Sequence, residues 1–431
     1  MRDITRHAGL ARLRKFPYPY RAAMTILSDR HGVQTADEFR AFHRFLNTAQ
    51  ETPQGKGLGL EIGDTFWFYD ELGHFSYFRN YTNSPSDQAS IIRDYYAAGF
   101  IDCLHTWGDF TNMPFERKYA EWAAEEATAR GMSLPIWVNH GNKKNTHNMN
   151  FSVEHHQGAT PKRPSYHADL AREAGFQFLW RFLTPVIGQD RKLSFSEQLS
   201  VGRKEAHSRA LFTVRRLVKR LIMETDHLTG QFTGFYDELA NNHFLASAML
   251  DDGSVCYEFR RYNNHPTNIW HGMHVPDLLR QLRPEVLNGL VASQGYLIIY
   301  NHLEYGEFFH PDIVVVLRGL AERQERGEIW ITTTARLIRY NVMFHRLTWR
   351  EEIDASRRLT LTIDDTIDDP ILGRSPVSAR DLEGITFLTP KSVAGVALKL
   401  GDKSIPTTVT ATDEKGQMVS GIRLNRLIFP E

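Results

Sequence analysis

Ala22-Ala23-Met24-Thr25-Ile26-Leu27-Ser28-Asp29-Arg30-His31-Gly32 is an uncharged, strand-like run that breaks into a charged turn. An ionised Asp29 at the end of such a run is costly unless it is paired or bound to a metal. The plainer alternative is that Asp29 caps a turn or pairs with Arg30. Two other stretches have the same form: Ile101-Asp102-Cys103-Leu104-His105-Thr106-Trp107-Gly108-Asp109 and Tyr296-Leu297-Ile298-Ile299-Tyr300-Asn301-His302. The ends of parallel strands converge at one mouth of an α/β barrel. A carboxylate with two imidazoles there is a ligand set that borderline divalent metals prefer, and a metal with an open position activates water.

Outward from these stretches, short apolar runs alternate with helical periodicity from about residue 20 to about residue 345. Strands are expected at Arg21–Leu27, Gly57–Ile62, Ile101–Leu104, Leu134–Val138, Phe176–Leu183, Phe232–Tyr236, Cys256–Tyr262, Tyr296–Asn301 and Ile329–Thr333. Helices are expected at Ser86–Gly99, Phe115–Gly131, Ser196–Leu228, Pro276–Gly289, Asp312–Gly327 and Ala335–Leu347. Repeated strand–helix alternation means a parallel sheet, open or closed into a barrel. Beyond Trp349 the period becomes two, as in Arg358–Ile363, Gly395–Leu400 and Pro406–Ala411, and no His or Cys occurs. The expected organisation is therefore a barrel domain over residues 1–348 and an all-β appendage over 349–431, with the chemistry confined to the first.

Composition narrows the function. The chain has 431 residues, 42% hydrophobic and 24% charged, as a globular protein with a real core has. Lys plus Arg equals Asp plus Glu, 51 each, so no overall field selects nucleic acid. Two cysteines make no disulfide framework, and no stretch reads as a signal peptide or a membrane span, so a cytoplasmic protein is expected. Two basic groups, Arg2, Arg6, Arg12, Arg14 and Lys15, and Arg215, Arg216, Lys219 and Arg220, read by default as solvated faces. Their sharper reading is a phosphate-bearing substrate or peripheral contact with an anionic membrane surface.

Several other residues are candidates for the site. His105 and Asp109, four apart, share a face if a helical turn starts there. Asn139-His140-Gly141 ends another strand and opens a long loop carrying His147, His155, His156 and His167, which is expected to cover the site mouth. His265, His271 and His274 form a weaker histidine group. Asp237 and Glu238 follow a strand-like run and could act as acid–base carboxylates or as helix caps. Glu61 through Tyr69 sets aromatics, Trp67 among them, beside carboxylates, as a sugar-stacking wall or a buried core would.

These residues resemble the polysaccharide deacetylase superfamily, the NodB-homology fold, over residues 20–345. The family's T-F-D-D motif has Ile26-Leu27-Ser28-Asp29 in its place. Its H-[ST]-x-x-H motif is similar to His105-Thr106-Trp107-Gly108-Asp109, and its L-x-L-H motif to Ile299-Tyr300-Asn301-His302. The resemblance implies an α/β fold with a distorted (β/α)7-type barrel, and a divalent metal, zinc, held by Asp29, His105 and Asp109, with His140 where an Arg-x-Pro-Tyr motif would lie. It also implies His302 as the catalytic acid. The family's base maps to Ser28, which cannot serve in the same way, so Asp237 is the substitute candidate. Trp67, Trp107 and Glu61 are the expected substrate-binding residues. The implied activity is metal-dependent removal of an acyl group from an amino sugar of a surface polysaccharide or its precursor, such as an O-antigen. A glycoside hydrolase on a related barrel, pairing Asp237 with Asp29 or Glu61, and a degenerate glycan-binding protein are the alternatives.

Overall fold

The computed structural model describes residues 9–29, 35–70, 75–141, 144–150, 155–194, 197, 242–265, 274–303, 310–413 and 415–430. Asp237, Glu238, His271, Arg30, Arg2, Arg6 and the basic group at 215–220 lie outside them, as do the segment Ser196–Leu228 apart from Glu197 and the segment Phe232–Tyr236.

Strands β1 (Ala22–Ser28), β2 (Gly63–Phe66), β3 (Ile101–Leu104), β4 (Ile136–Val138) and β5 (Phe178–Thr184) follow one another in the sheet. After β6 (Leu245–Met249), strands β7 (Val255–Tyr262) and β8 (Tyr296–Asn301) complete it. The order β1-β2-β3-β4-β5-β7-β8 returns to β1, so seven parallel strands close into a barrel. Strand β6 adds to β7 in antiparallel fashion, and β9 (Ile329–Ile331) lies beside β1. Strands β1 and β8 are buried throughout, which is why both read as continuous apolar runs and not as alternating ones.

Helices α1 (Ala36–Asn47), α2 (Ala89–Ala98) and α3 (Arg117–Ala129) lie in sequence between the first four strands. Helix α1 is absent from the sequence expectations, although its start signal is present. Thr35 accepts from the Glu38 backbone and Glu38 reaches back to Thr35, a reciprocal cap. Its buried Phe39, Phe42, Phe45 and Leu46 recur at helical spacing. Helix α2 stops at Gly99, whose φ of 84° a side chain would resist. The strand expected at Gly57–Ile62 falls instead at Gly63–Phe66. The run Pro276–Gly289 is broken: a turn of helix ends at Gln281, and a new helix starts with Pro284 at its first position and runs to Ser293.

The chain divides into two compact units. The barrel unit comprises Met24–Glu322, Ile331–Ala335 and Leu427–Glu431, as far as these are described. Within it, Phe39 stacks on Phe75 with centroids 4.3 Å apart, and Tyr95 and Phe100 meet Phe429 at 5.5 and 5.8 Å. The other unit comprises Met1–Ala23, Arg323–Trp330 and Arg336–Arg426, again as described. Its period-two segments form two four-stranded sheets. In one, Arg12–Leu13 pairs with Thr386–Thr389, followed by Met418–Gly421 and Val409–Thr412. The other orders Trp349–Ile353, Arg358–Ile363, Gly395–Leu400 and Lys403–Ile405. The β-rich unit thus takes in residues from near the start of the chain, and the barrel unit takes back Leu427 and Phe429.

The return of Phe429 to the barrel core has a measurable consequence. Phe429→Ala removes a partly buried ring from Tyr95 and Phe100 and should lower unfolding free energy by about 1–3 kcal/mol. Denaturant melts of the two proteins check this; an unchanged midpoint would show that the ring contributes nothing to the barrel.

Candidate active site

Alternation along the strands decides which side chains enter the barrel. Ser28 is in register with Asp64, and the Asp64 carboxylate reaches His43 on α1, with Oδ2 3.1 Å from Nε2. Ser28 therefore belongs to the helix-facing side of β1, fully buried, and its hydroxyl has no hydrogen-bond partner among the described residues. Asp29, one residue on, takes the opposite side. The position expected for a base is thus turned away from the metal candidate beside it.

Asp29 is 3% exposed and gathers its neighbours. Its Oδ1 accepts from Thr65 Oγ1 at 2.9 Å, its Oδ2 accepts from the Tyr300 hydroxyl, and its backbone N–H donates to Asn301 O at 3.1 Å. The last bond continues the pairing of β1 with β8, so barrel closure itself brings Asp29 beside Tyr300. Nδ1 of His105 lies 2.7 Å from Asp29 Oδ2. At that separation a proton on Nδ1 avoids opposing lone pairs, although the contact lacks hydrogen-bond geometry; in the neutral ring it leaves Nε2 as the acceptor nitrogen. His302 completes the group, with Nε2 2.9 Å from the Tyr300 hydroxyl and 3.7 Å from Asp29 Oδ2. Burial first, and then the Asp29 charge, push the Tyr300 phenol well above its ordinary value, so it keeps its proton. That single proton goes to Asp29, so His302 Nε2 must be the donor to the phenol oxygen.

The turn after His105 is strained. Thr106, a β-branched residue, has φ 55°, and its hydroxyl donates to Gly108 O. A side chain at Gly108 would collide with the Tyr69 backbone oxygen at 2.2 Å. This tight packing fixes the point where His105 leaves β3.

A second group lies beside the first. The His140 ring is 5.1 Å from the His105 ring, and Trp67 contacts both, at 5.5 Å and 5.6 Å. Asn148 clamps the His140 backbone by accepting from its N–H at 2.9 Å and donating to its carbonyl at 2.5 Å. Asn145 Nδ2 lies 2.6 Å from His140 Nδ1, and Asp109 Oδ1 lies 3.9 Å from the same nitrogen. Burial works to raise the Asp109 carboxyl, but hydrogen bonds from Thr111 and the neighbouring His140 outweigh it and hold the carboxyl below its ordinary range. Asp109, His140 and His302 are 24%, 16% and 20% exposed at their side chains, so this rim is the part open to solvent.

The structure thus brings Asp29, His105 and His302 into one cluster, with His140, Asp109 and Trp67 alongside. Trp107 and Glu61 do not join it. Trp107 is fully buried, and its indole N–H donates to His167 Nδ1 at 3.0 Å, so it is core and not a sugar platform. Glu61 is committed to Thr332 Oγ1 at 2.9 Å and to the Leu427 backbone at 2.8 Å. Tyr300 and Thr65, which sequence reasoning missed, were reachable by period two: Tyr300 precedes His302 by two residues, and Thr65 precedes Trp67 by two. The donor chemistry at Asp29 and His105 suits zinc. Among the described residues, however, no three His, Cys, Asp or Glu side chains converge as a metal set, and both Asp29 oxygens already accept hydrogen bonds.

The loop that carries His140 is packed on histidines. His167 takes the Trp107 proton at Nδ1 and gives its own from Nε2 to His147 O at 2.7 Å, so it is neutral. His147 stacks on Phe115 at 4.6 Å. Burial lowers the His147 pKa well below its ordinary value and takes His167 down to about 4.

Comparisons with protein-family models, with curated proteins and with solved structures find no match to this chain.

The depressed imidazoles set a pH window. Their folded pKa values lie below the unfolded one, so the stability they contribute is complete above pH ~6.5 and is lost as pH falls toward 4. His167 alone should cost about 3 kcal/mol across that window. Hydrogen-exchange protection factors, corrected for the intrinsic slowing of exchange in acid, should fall across it at residues 144–150 and 155–167, and His167→Gln should flatten the response. Equal protection of the loop at pH 7 and pH 4.5 would contradict this.

Proposed function

We propose that the chain is a hydrolase that removes an acyl group from an amino sugar, acting at the C-terminal mouth of its barrel. The observation that carries the reading is the convergence of His105 and His302 on one buried carboxylate, Asp29. An amide bond needs a group to take a proton from water and another to give one to the departing nitrogen. His105, with Nδ1 facing Asp29, presents Nε2 as the acceptor. His302, partly exposed and tied to Asp29 through its Nε2–H on Tyr300, gives the amine a proton from Nδ1 as the imidazolium. Asp29 holds both imidazoles and favours the imidazolium that forms on His105. Trp67, 7% exposed and packed on His105 and His140, would meet a sugar ring only at its exposed edge.

In this reading the barrel is a distorted (β/α)7 fold of the deacetylase type. A zinc ion would be held by Asp29 and His105 with Asp109 or His140 as a third donor, in place of the Thr65 and Tyr300 hydrogen bonds to Asp29; it would supply carbonyl polarisation and a water of pKa near ~7, with His105 then a ligand and not the base. The substrate is a cytoplasmic precursor of a surface polysaccharide, reached directly or at an anionic membrane surface. No helix among the described residues is long and apolar enough to cross a membrane. The glycoside-hydrolase alternative pairs Asp237, outside the described residues, with Asp29 or with Glu61, and Glu61 is already held by Thr332 and the Leu427 backbone.

The test is release of acetate from N-acetylated amino-sugar oligosaccharides, with metal analysis of the same preparation. Wild-type protein should release acetate and carry about one zinc per chain. Asp29→Ala should abolish both while the protein stays folded. His302→Ala should lower turnover ~10²–10⁴-fold and leave the metal content alone. A metal-free wild type that releases no acetate would sink the reading. His302→Ala with full turnover would remove His302 from the chemistry.

A further inference from the structure

We propose that Arg261 is a positioning residue of this site: clamped between two aromatic rings, it fixes the Tyr300 phenol on Asp29. The inference rests on Asp29 being the reaction centre. Arg261 lies on β7 and is 0% exposed. Its guanidinium carbon is 3.0 Å from the centroid of the Trp180 ring and 3.6 Å from that of Tyr300. Those two rings are nearly parallel, 17° apart in orientation with centroids 6.1 Å apart, so the flat cation fills the space between them.

A buried arginine normally lies edge-on to a carboxylate, in a two-pronged hydrogen-bonded pair. Here its Nε and both terminal nitrogens make no hydrogen bond of good geometry among the described residues. What stabilises the charge is the π face on either side and the nearby negative charge of Asp29. Burial takes the Arg261 pKa down to about 9, with Tyr300 and Asp29 working against that fall, so the group stays cationic at neutral pH.

The mechanical consequence follows from Tyr300. Its ring is one jaw of the clamp, and its hydroxyl is the donor to Asp29 and the acceptor from His302. Any displacement of the guanidinium therefore lets the phenol tilt, and both imidazoles lose their common reference. Lysine has the charge but not the plane, so it cannot fill the space between the rings in the same way.

The experiment is a double-variant cycle on acetate release from the same oligosaccharides, with kcat and KM measured separately for wild type, Arg261→Met, Arg261→Lys, Tyr300→Phe and Arg261→Met/Tyr300→Phe. Tyr300→Phe keeps the ring and removes only the hydroxyl. Arg261→Met should lower kcat ~10²-fold with KM within about twofold, since the loss is of alignment and not of substrate contact. Arg261→Lys should recover part of that loss. The double variant should be no worse than the worse single one, because both act through the same bond to Asp29. Effects that multiply, or full kcat in Arg261→Met, would overturn the proposal. If Arg261→Met does not fold, Arg261→Lys, alone and with Tyr300→Phe, takes its place in the cycle. If the wild type releases no acetate, the hydrolase reading fails, and thermal melts of the same variants judge the clamp. Non-additive shifts in melting temperature support it, and additive shifts overturn it.

Discussion

A carboxylate that is 3% exposed must be satisfied by its surroundings, and the barrel mouth is organised around doing so for Asp29. Thr65 and Tyr300 each donate to it, and Nδ1 of His105 faces it at 2.7 Å. This arrangement sets the protons of the site. Tyr300 has one proton and spends it on Asp29, so His302 must donate from Nε2, and His105 is left with Nε2 as its acceptor. His105 can then take a proton at Nε2, and His302 can give one from Nδ1 once it is the imidazolium. The arrangement comes from strand geometry alone, before any substrate or ion is considered.

The rest of the barrel unit serves that geometry. Closure of β8 on β1 sets Asp29 against Asn301 and so brings Tyr300 within reach. The strained turn at Thr106, pressed against Tyr69 through Gly108, fixes where His105 emerges. The loop after β4 carries His140 on two asparagine clamps and is itself packed on neutral histidines and aromatics.

The positions of Asp29, His105 and His302 were legible in the sequence because fully buried parallel strands are apolar throughout, so a polar residue at their ends stands out. The same contrast located β3, β4, β5, β7 and β8. Helix α1 was missed although Thr35 and Glu38 mark its start, because its mixed polar and aromatic run gives no apolar block to the eye. Ser28 was read beside Asp29 because adjacency in sequence hides the alternation that sends the two to opposite faces. Glu61 and Trp107 were read as substrate contacts because side-chain type is visible in a sequence and burial is not. Tyr300 and Arg261 lie inside strands that look purely structural, and only their tertiary neighbours reveal a role. The return of Leu427 and Phe429 to the barrel core is likewise a long-range contact that no local pattern announces.

Asp29 dictates the protonation of both imidazoles in this arrangement, and imidazole 15N NMR reads that protonation out. Spectra of histidine-labelled protein at neutral pH, assigned by single-histidine replacement, report which ring nitrogen of His105 and His302 bears the proton. The account predicts protonated Nδ1 and bare Nε2 in His105, protonated Nε2 in His302, and loss of both preferences in Asp29→Asn. A His105 with bare Nδ1, or tautomers unchanged by Asp29→Asn, would contradict it.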